Sequence, residues 1–196
     1  PGDLPGRIHV QRQDHIAFRG FFFVGGDLEE TDGIRKYIHG QMYVEVMVPH
    51  EIKHPYPIIF FHGGGQTGLN WMMTPDGRMG WADYFVKQGY LVYVPDVPAR
   101  GRSPYHPEAD GQQIYMTADL TNEYFASSDG GWPNACRHTQ WPDVGEHSGE
   151  RYDPVYLALC KAQYEYLPPK QQQERVKKAG IELLQCVGAV SYTHLR

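Results

Sequence analysis

Residues 56–68, YPIIFFHGGGQTG, constrain the chain more than any other stretch. Ile58 to Phe61 form an apolar run with no polar alternation, the pattern of a strand covered on both faces. Glycines follow at once, at 63, 64, 65 and 68. A glycine cluster lets the backbone approach a ligand closely and adopt conformations other residues resist. The chemistry at the end of this strand therefore belongs to main-chain N–H groups. Two uses compete. The loop could cradle a phosphate, because Gly63, Gly65 and Gly68 satisfy G-x-G-x-x-G. Or it could present N–H groups to a carbonyl oxygen that becomes negative during acyl transfer.

The flanking pattern predicts an α/β domain. "FRGFFFVGG" reads as a strand closed by two glycines. In "GQMYVEVMVP", Met42, Val44, Val46 and Val48 alternate with Tyr43, Glu45 and Met47, the period of a half-buried strand ended by Pro49. "WADYFVKQG" places Trp81 with Phe85, and Ala82 with Val86, four apart on a helix that Gly89 stops. "YLVYVPD" is a second continuous strand ending at Asp96. Strand, glycine loop, helix, strand is a parallel crossover unit. Two strands precede it, and these are expected to be antiparallel to each other.

Residues 104–152 lose this regularity and carry Trp132, Trp141 and several prolines and glycines. A stretch of that length inside a compact domain suggests a functional insertion such as a lid. Helical periodicity returns in "DPVYLALCKAQYEYLPP", with Tyr156, Cys160, Tyr164 and Leu167 on one face, Asp153 as N-cap and Pro168 as the stop. "KQQQERVKKAGIELLQCVG" adds an amphipathic stripe of Val176, Ala179, Leu183, Leu184 and Val187. "AVSYTHLR" begins like one more strand.

Bulk properties narrow the function. A chain of 196 residues, 41% hydrophobic, suits one domain. A net charge of −5 and the absence of a Lys/Arg cluster argue against nucleic acid as a partner. No apolar run approaches the roughly 18 residues of a membrane span. Cys136, Cys160 and Cys186 are widely spaced and without C-x-x-C, which supports neither a disulfide framework nor a zinc site; buried thiols are the expectation. His138 and His147 lack metal-ligand spacing. No metal or cofactor is expected.

The glycine cluster favours acyl transfer. A dinucleotide site needs the third glycine to open a helix facing the pyrophosphate. Here LNWMMTPDG follows, and Pro75 and Gly77 are expected to break any helix. No Lys-Ser/Thr follows either, so a P-loop is excluded. An oxyanion site needs two or more N–H donors aimed at one oxygen, and His62 would fix such a loop by hydrogen bonding. A plain turn role for the glycines stays open.

Several motifs together carry a resemblance. "HGGG" after a buried strand resembles the oxyanion motif of α/β-hydrolase esterases and lipases. "DVPARGRS", residues 96–103, resembles the D-x-x-G-x-G-x-S turn after the next strand of that fold. "FFFVGG", "GQMYV", "HG-x-x-x-TG", "TPDGRMGW" and "RGRS" occur together and in this order in a small group of bacterial α/β-hydrolase esterases. "TQWP", residues 139–142, looks like their lid segment. The resemblance is strong over residues 20–105 and looser elsewhere. It implies an α/β-hydrolase fold: the N-terminal part of a mostly parallel sheet, a lid or cap over 104–152, and C-terminal strands missing from the single domain of residues 1–196. It implies a serine esterase acting on a small-molecule ester through an acyl-enzyme. Gly64 would supply one oxyanion N–H, within an oxyanion loop that includes Gly63, Gly65 and Gln66, with His62 structuring it. Trp132 and Trp141 would line the substrate pocket or form the lid core.

In that group the nucleophile follows the next strand, in sequences reading roughly A-V-L-L-[TS]-H-S-Q-x-G. This chain reads AVSYTHLR, with Leu195 where the serine belongs. The downstream acid and histidine are absent as well. Either the protein is a variant without a nucleophile, or the frame is interrupted and residues 190–196 are foreign; "VSYTHLR" resembles translated adapter tails on fragmentary environmental sequences. Ser103 and Ser191 lack the framing of a nucleophile. The alternatives to an esterase are a non-catalytic α/β-hydrolase-like binding protein and a dinucleotide-binding domain. The 196-residue chain alone is expected to be inert toward short-chain nitrophenyl esters. Turnover abolished by a serine-directed phosphonate would place a nucleophile at Ser103 or Ser191.

Overall fold

The computed structural model describes residues 8–30, 33–127, 133–137, 154–188 and 191–194. Its centre is a five-stranded mixed sheet of β1 (Ile16–Val24), β4 (Met42–Pro49), β6 (Val92–Asp96), β5 (Ile58–Phe61) and β7 (Ser191–His194), in that spatial order. β1 and β4 pair antiparallel, as do β4 and β6, while β5 runs parallel to both β6 and β7. A separate hairpin, β2 (Asp27–Glu30) with β3 (Lys36–His39), projects between β1 and β4. The sequence reading missed this hairpin. Its strands are charged and mostly exposed, so no apolar alternation marks them.

Each face of the sheet carries its own core. On one face Val44, Ile59 and Phe61 pack with Ala179 and Leu183 of α6 (Pro169–Val187). On the other, Ile58, Phe60 and Val94 pack with Ala82 and Val86 of α2 (Trp81–Lys87) and with Trp71 of α1 (Leu69–Met72). All four residues of β5 are buried, as the uninterrupted apolar run requires. α2 follows β5 onto one face, and α6 precedes β7 from the other. The connections leaving β5 and β6 therefore diverge. α/β sheets bind ligands outside the carboxyl ends of strands whose connections diverge in this way.

Several local expectations are corrected. A helix does open after Gly68, but Pro75 and Gly77 confine it to the single turn of α1. α5 (Pro154–Lys161) ends well before Pro168, because Tyr166 leaves to form a bridge with Ile114. Leu184 is exposed on α6 although the stripe had included it; Ala179 and Leu183 carry the buried contact. Trp81 is also exposed, whereas Asp83 of the same helix is buried against His15 at 2.7 Å. The cysteines are not buried thiols: Cys136 and Cys186 are exposed, Cys160 is half-buried, and all three are free. Cys186 lies off the buried stripe of α6, which explains its exposure.

Between β6 and α5 lie short turns rather than long elements: α3 (Pro107–Asp110), α4 (Ala118–Thr121), a π-helical turn at Asn122–Ala126 and a 3-10 turn at Ala135–Arg137. Trp132, Trp141, His138 and His147 lie outside the described residues, as does Leu195.

Leu183 is fully buried at the centre of the α6 contact. Leu183→Ala should destabilise the domain by about 2–5 kcal/mol through lost transfer energy and the cavity left behind. Urea titration of wild type and variant measures it, and a loss below about 1 kcal/mol would show that α6 does not close this core.

Candidate active site at the glycine loop

His62 is the first residue past β5 and is buried. The Val97 N–H donates to its Nε2 at 3.0 Å, which leaves Nδ1–H to donate to the Gly63 carbonyl, also at 3.0 Å. One ring thus ties the loop after β5 to the first residue after β6. Burial pushes the His62 pKa down to about 4, so the ring is neutral near neutrality.

The carbonyls on either side of Gly64 are held. Gly63 O also accepts the Gln66 N–H, Gly65 O accepts the Tyr164 N–H at 2.8 Å, and Gln66 O accepts Arg100 Nη1 at 2.9 Å. Gly64 stands exposed between them, and among the described residues its N–H meets no acceptor. Gly65 has φ +68, and a Cβ there would lie 2.9 Å from Met116 Cε and 3.0 Å from Gln163 Oε1. Residues 116, 163 and 164 thus press on the loop from the segment that follows β6.

Behind the loop is a charge cluster built on two buried carboxylates, Asp96 and Glu45. Asp96, at the end of β6, accepts the Gly68 N–H at 2.7 Å, the Arg102 N–H at 2.8 Å and Arg102 Nε at 2.8 Å. Gly68 must lack a side chain, because a Cβ would sit 2.7 Å from Val94 Cγ1 and 2.9 Å from Asp96 Oδ1. Arg102 also reaches Glu45 of β4 and lies 4.2 Å over the Tyr43 ring. Arg19 of β1 completes the cluster through Glu45. Burial works against ionisation of Asp96, but hydrogen bonds from Arg102 and Gly68 outweigh it and hold its pKa below the ordinary value.

The turn after β6 is built for these contacts. Ala99 adopts φ 59, where the resembled motif carries glycine, at a cost of about 1–2 kcal/mol. Gln113 Nε2 holds the Ala99 carbonyl at 2.9 Å, and Gln172 Nε2 holds Pro98 O at 3.0 Å. Arg100 is buried, bonded to Gln66 O and to Gln172, and faces the Tyr166 ring at 5.3 Å; burial lowers its pKa to about 10. Ser103 Oγ donates to Asp96 O at 2.5 Å and accepts the Tyr43 N–H at 2.8 Å. Its hydroxyl is therefore engaged in the turn. Ser191 pairs with Ile58, at the end of β5 remote from the loop, whereas His194 pairs with Phe61 beside it.

The sequence reading singled out His62, Gly63, Gly64, Gly65 and Gln66, and the fold keeps these in one loop. It missed Glu45, Arg100, Arg102 and Asp96 as partners of that loop. Only the "DVPARGRS" turn hinted at three of the four. No group of three or more His, Cys, Asp or Glu residues suited to a metal occurs among the described residues.

His62 makes a pH prediction. Its folded pKa lies below its unfolded value near 6.5, so the unfolded chain takes the proton first. The stability His62 contributes is complete above about pH 6.5 and is lost as pH falls toward 4, by about 3 kcal/mol in all. His62→Gln should show a smaller loss of stability than wild type between about pH 7 and about pH 4.5 in urea unfolding. Equal losses would mean that the ring is not buried neutral.

Comparison with known proteins places these features in context. No protein-family profile matches the chain. The chain is 40% identical over 175 residues to a probable secreted lipase, phiG, of a fungal species (strain ATCC 74256), covering 89% of this chain and 45% of the lipase. A solved structure of a bacterial esterase superposes with a TM-score of 0.68 at 26% identity, covering 89% of this chain and 58% of the esterase. The chain thus spans about half the length of these relatives, and over that span it is similar to a lipase and to an esterase.

Proposed function

We propose that the whole protein is a carboxylic-ester hydrolase of the α/β-hydrolase fold, working through a serine acyl-enzyme. The observation that carries this reading is the state of the glycine loop. The carbonyls of Gly63, Gly65 and Gln66 are tied to partners, while the Gly64 N–H is exposed and unbonded among the described residues. A donor held in place before the reaction costs no reorganisation when the carbonyl oxygen becomes negative. Similarity to a lipase and to an esterase supports ester hydrolysis in general.

In this mechanism a serine oxygen attacks the ester carbonyl while a histidine takes its proton. The oxyanion accepts the Gly64 N–H and the N–H following the nucleophile. Collapse expels the alcohol, which takes a proton from the histidine, and water then releases the acid by the same route. The strand at the β7 position ends beside Phe61 and so beside the loop, and the nucleophile would follow it there; this sequence carries Leu195 at that position, so the reading takes residues 190–196 as foreign and assigns the serine to the native frame. The acid and the histidine belong to the remainder of the protein. His62 is no candidate for the base: both ring nitrogens are engaged and its pKa is pushed down to about 4. Residues 104–152 act as a lid in this reading. Among the described residues Met116 touches the loop on its Gly65 side.

Cofactor binding is disfavoured by the same loop. The helix after Gly68 is one turn long, and Gly68 N–H is spent on Asp96. A pyrophosphate would find only a one-turn helix there, and the amide at its start is already bonded to Asp96.

Gly64 gives the test. A Cβ at Gly64 meets nothing within 4 Å, and its φ is not left-handed, so Ala is accommodated there and keeps the N–H. Gly64→Pro removes the donor. In the full-length protein Gly64→Pro should lower kcat for 4-nitrophenyl acetate by about 10²–10³-fold, the cost of one lost oxyanion donor. Gly64→Ala should lose at least about tenfold less. Equal loss in both would contradict a role for this N–H.

A further inference from the structure

β1 lies at an edge of the sheet, and among the described residues only β4 pairs with the backbone of Phe18–Val24. Natural edge strands are blunted by prolines, lysines, inward-pointing charges or bulges. Residues 18–24, FRGFFFV, contain no proline or lysine, and their one charge, Arg19, is spent on Glu45. The bulge in β1 falls before Phe18, so the strand is regular from there to Val24. Phe18, Phe21 and Phe23 are 73%, 65% and 48% exposed. Phe21 stacks on Tyr43 at 5.4 Å and Phe23 meets the same ring edge-on at 5.6 Å, so both are held in place without any partner.

Position, charge and symmetry decide what covers this edge. β7 lies at the other edge, so chain that continues the sheet beyond β7 adds there and not at β1. The arm before β1 leaves toward Gly77, which His9 and Gln11 contact. Arg19, Arg102, Glu45 and Asp96 balance one another, so a charged partner finds no excess charge to recognise. An apolar strand does fit, and β1 fits itself. Antiparallel pairing of two copies about an axis at Phe21 sets Phe21 opposite Phe21, Arg19 opposite Phe23 and Phe18 opposite Val24. Aromatic pairs and a guanidinium against a ring are favourable in such cross-strand positions. The arrangement closes on a two-fold axis, as most homodimers do. At about 200 Å² per phenylalanine, the exposed parts of the three rings come to roughly 370 Å² on each copy. The strand backbone and the half-exposed Arg19 carry the total for two copies toward the roughly 1,200 Å² at which standard interfaces begin. That size suits reversible association.

We infer that two copies of this protein associate through β1, antiparallel, into one continuous sheet centred on Phe21. The contact covers Arg19, the outer end of the chain of charges that runs through Glu45 and Arg102 to Asp96. Association therefore shields from solvent the end of the frame that holds the glycine loop. The inference stands independently of the ester-hydrolase reading.

The test is sedimentation velocity of the full-length protein from about 1 to about 100 µM, the range in which an interface of micromolar strength dissociates. Wild type should pass from monomer to dimer across it. Phe21→Glu sets two carboxylates face to face on the axis and should weaken dimerisation at least about tenfold. Phe23→Lys, which meets Arg19 of the second copy, should do the same and serves if the first variant folds poorly. Amide hydrogen exchange locates the contact: residues 18–24 should exchange more slowly at the high concentration than at the low one. A wild type that stays monomeric throughout overturns the inference. So does a dimer that neither variant weakens, or one that leaves exchange at residues 18–24 unchanged.

Discussion

The buried carboxylate of Asp96 holds the carboxyl end of the sheet together. It terminates β6, receives the Gly68 N–H from the loop after β5, and binds the backbone and guanidinium of Arg102 in its own turn. Arg102 passes the connection to Glu45 on β4, and Glu45 passes it to Arg19 on β1. One chain of charges therefore crosses β6, β4 and β1 and fixes the glycine loop to them. The two carboxylates are buried while Arg19 and Arg102 keep contact with solvent, so removing a guanidinium strands a buried carboxylate at a cost below the about 3–5 kcal/mol of a fully buried pair. They give the loop a single position, which a backbone donor needs if it is to meet a developing charge.

Two further ties complete the frame. His62 bridges to Val97, and Arg100 bridges from Gln66 to Gln172 on α6. The loop is thus held from the strand beside it, the turn behind it and the helix below it. Tyr164 and Met116 press on it from the connecting segment. Gly64 escapes all of these contacts. In such a frame its free N–H is a consequence of construction, since every neighbouring carbonyl has an assigned partner.

Much of the sheet was legible in the sequence because burial writes a period into it. Ile58 to Phe61 are apolar throughout because α1 and α2 cover one face and α6 the other. In β4 only Met42 and Val44 follow the expected alternation; Val46 and Val48 are half-buried while Glu45 and Met47 are buried, because β4 lies between β1 and β6 with both faces covered. The β2–β3 hairpin left no such trace, since its residues face solvent and satisfy no periodicity. α5 was overextended because Tyr164 and Leu167 match a helical face by spacing alone, whereas Tyr166 pairs with Ile114 instead. The site divides in the same way. Glycines at a strand end advertise a backbone loop, and a histidine before them advertises a tie. Glu45 and Arg102, 57 positions apart, carry no local signal of their pairing. Arg100 belongs to the "DVPARGRS" turn, but its burial against Gln66 and Gln172 carries no local signal.

An oxyanion site is defined by where a tetrahedral oxygen sits, so a covalent adduct tests the role of the Gly64 N–H most directly. The full-length protein treated with a serine-directed alkyl phosphonate and crystallised would show that position. The account predicts a covalent serine adduct following the strand that pairs with β5, with a phosphonyl oxygen within hydrogen-bond distance of the Gly64 nitrogen. A serine adduct whose oxygen is bound elsewhere, or no adduct at a residue beside this loop, would contradict it.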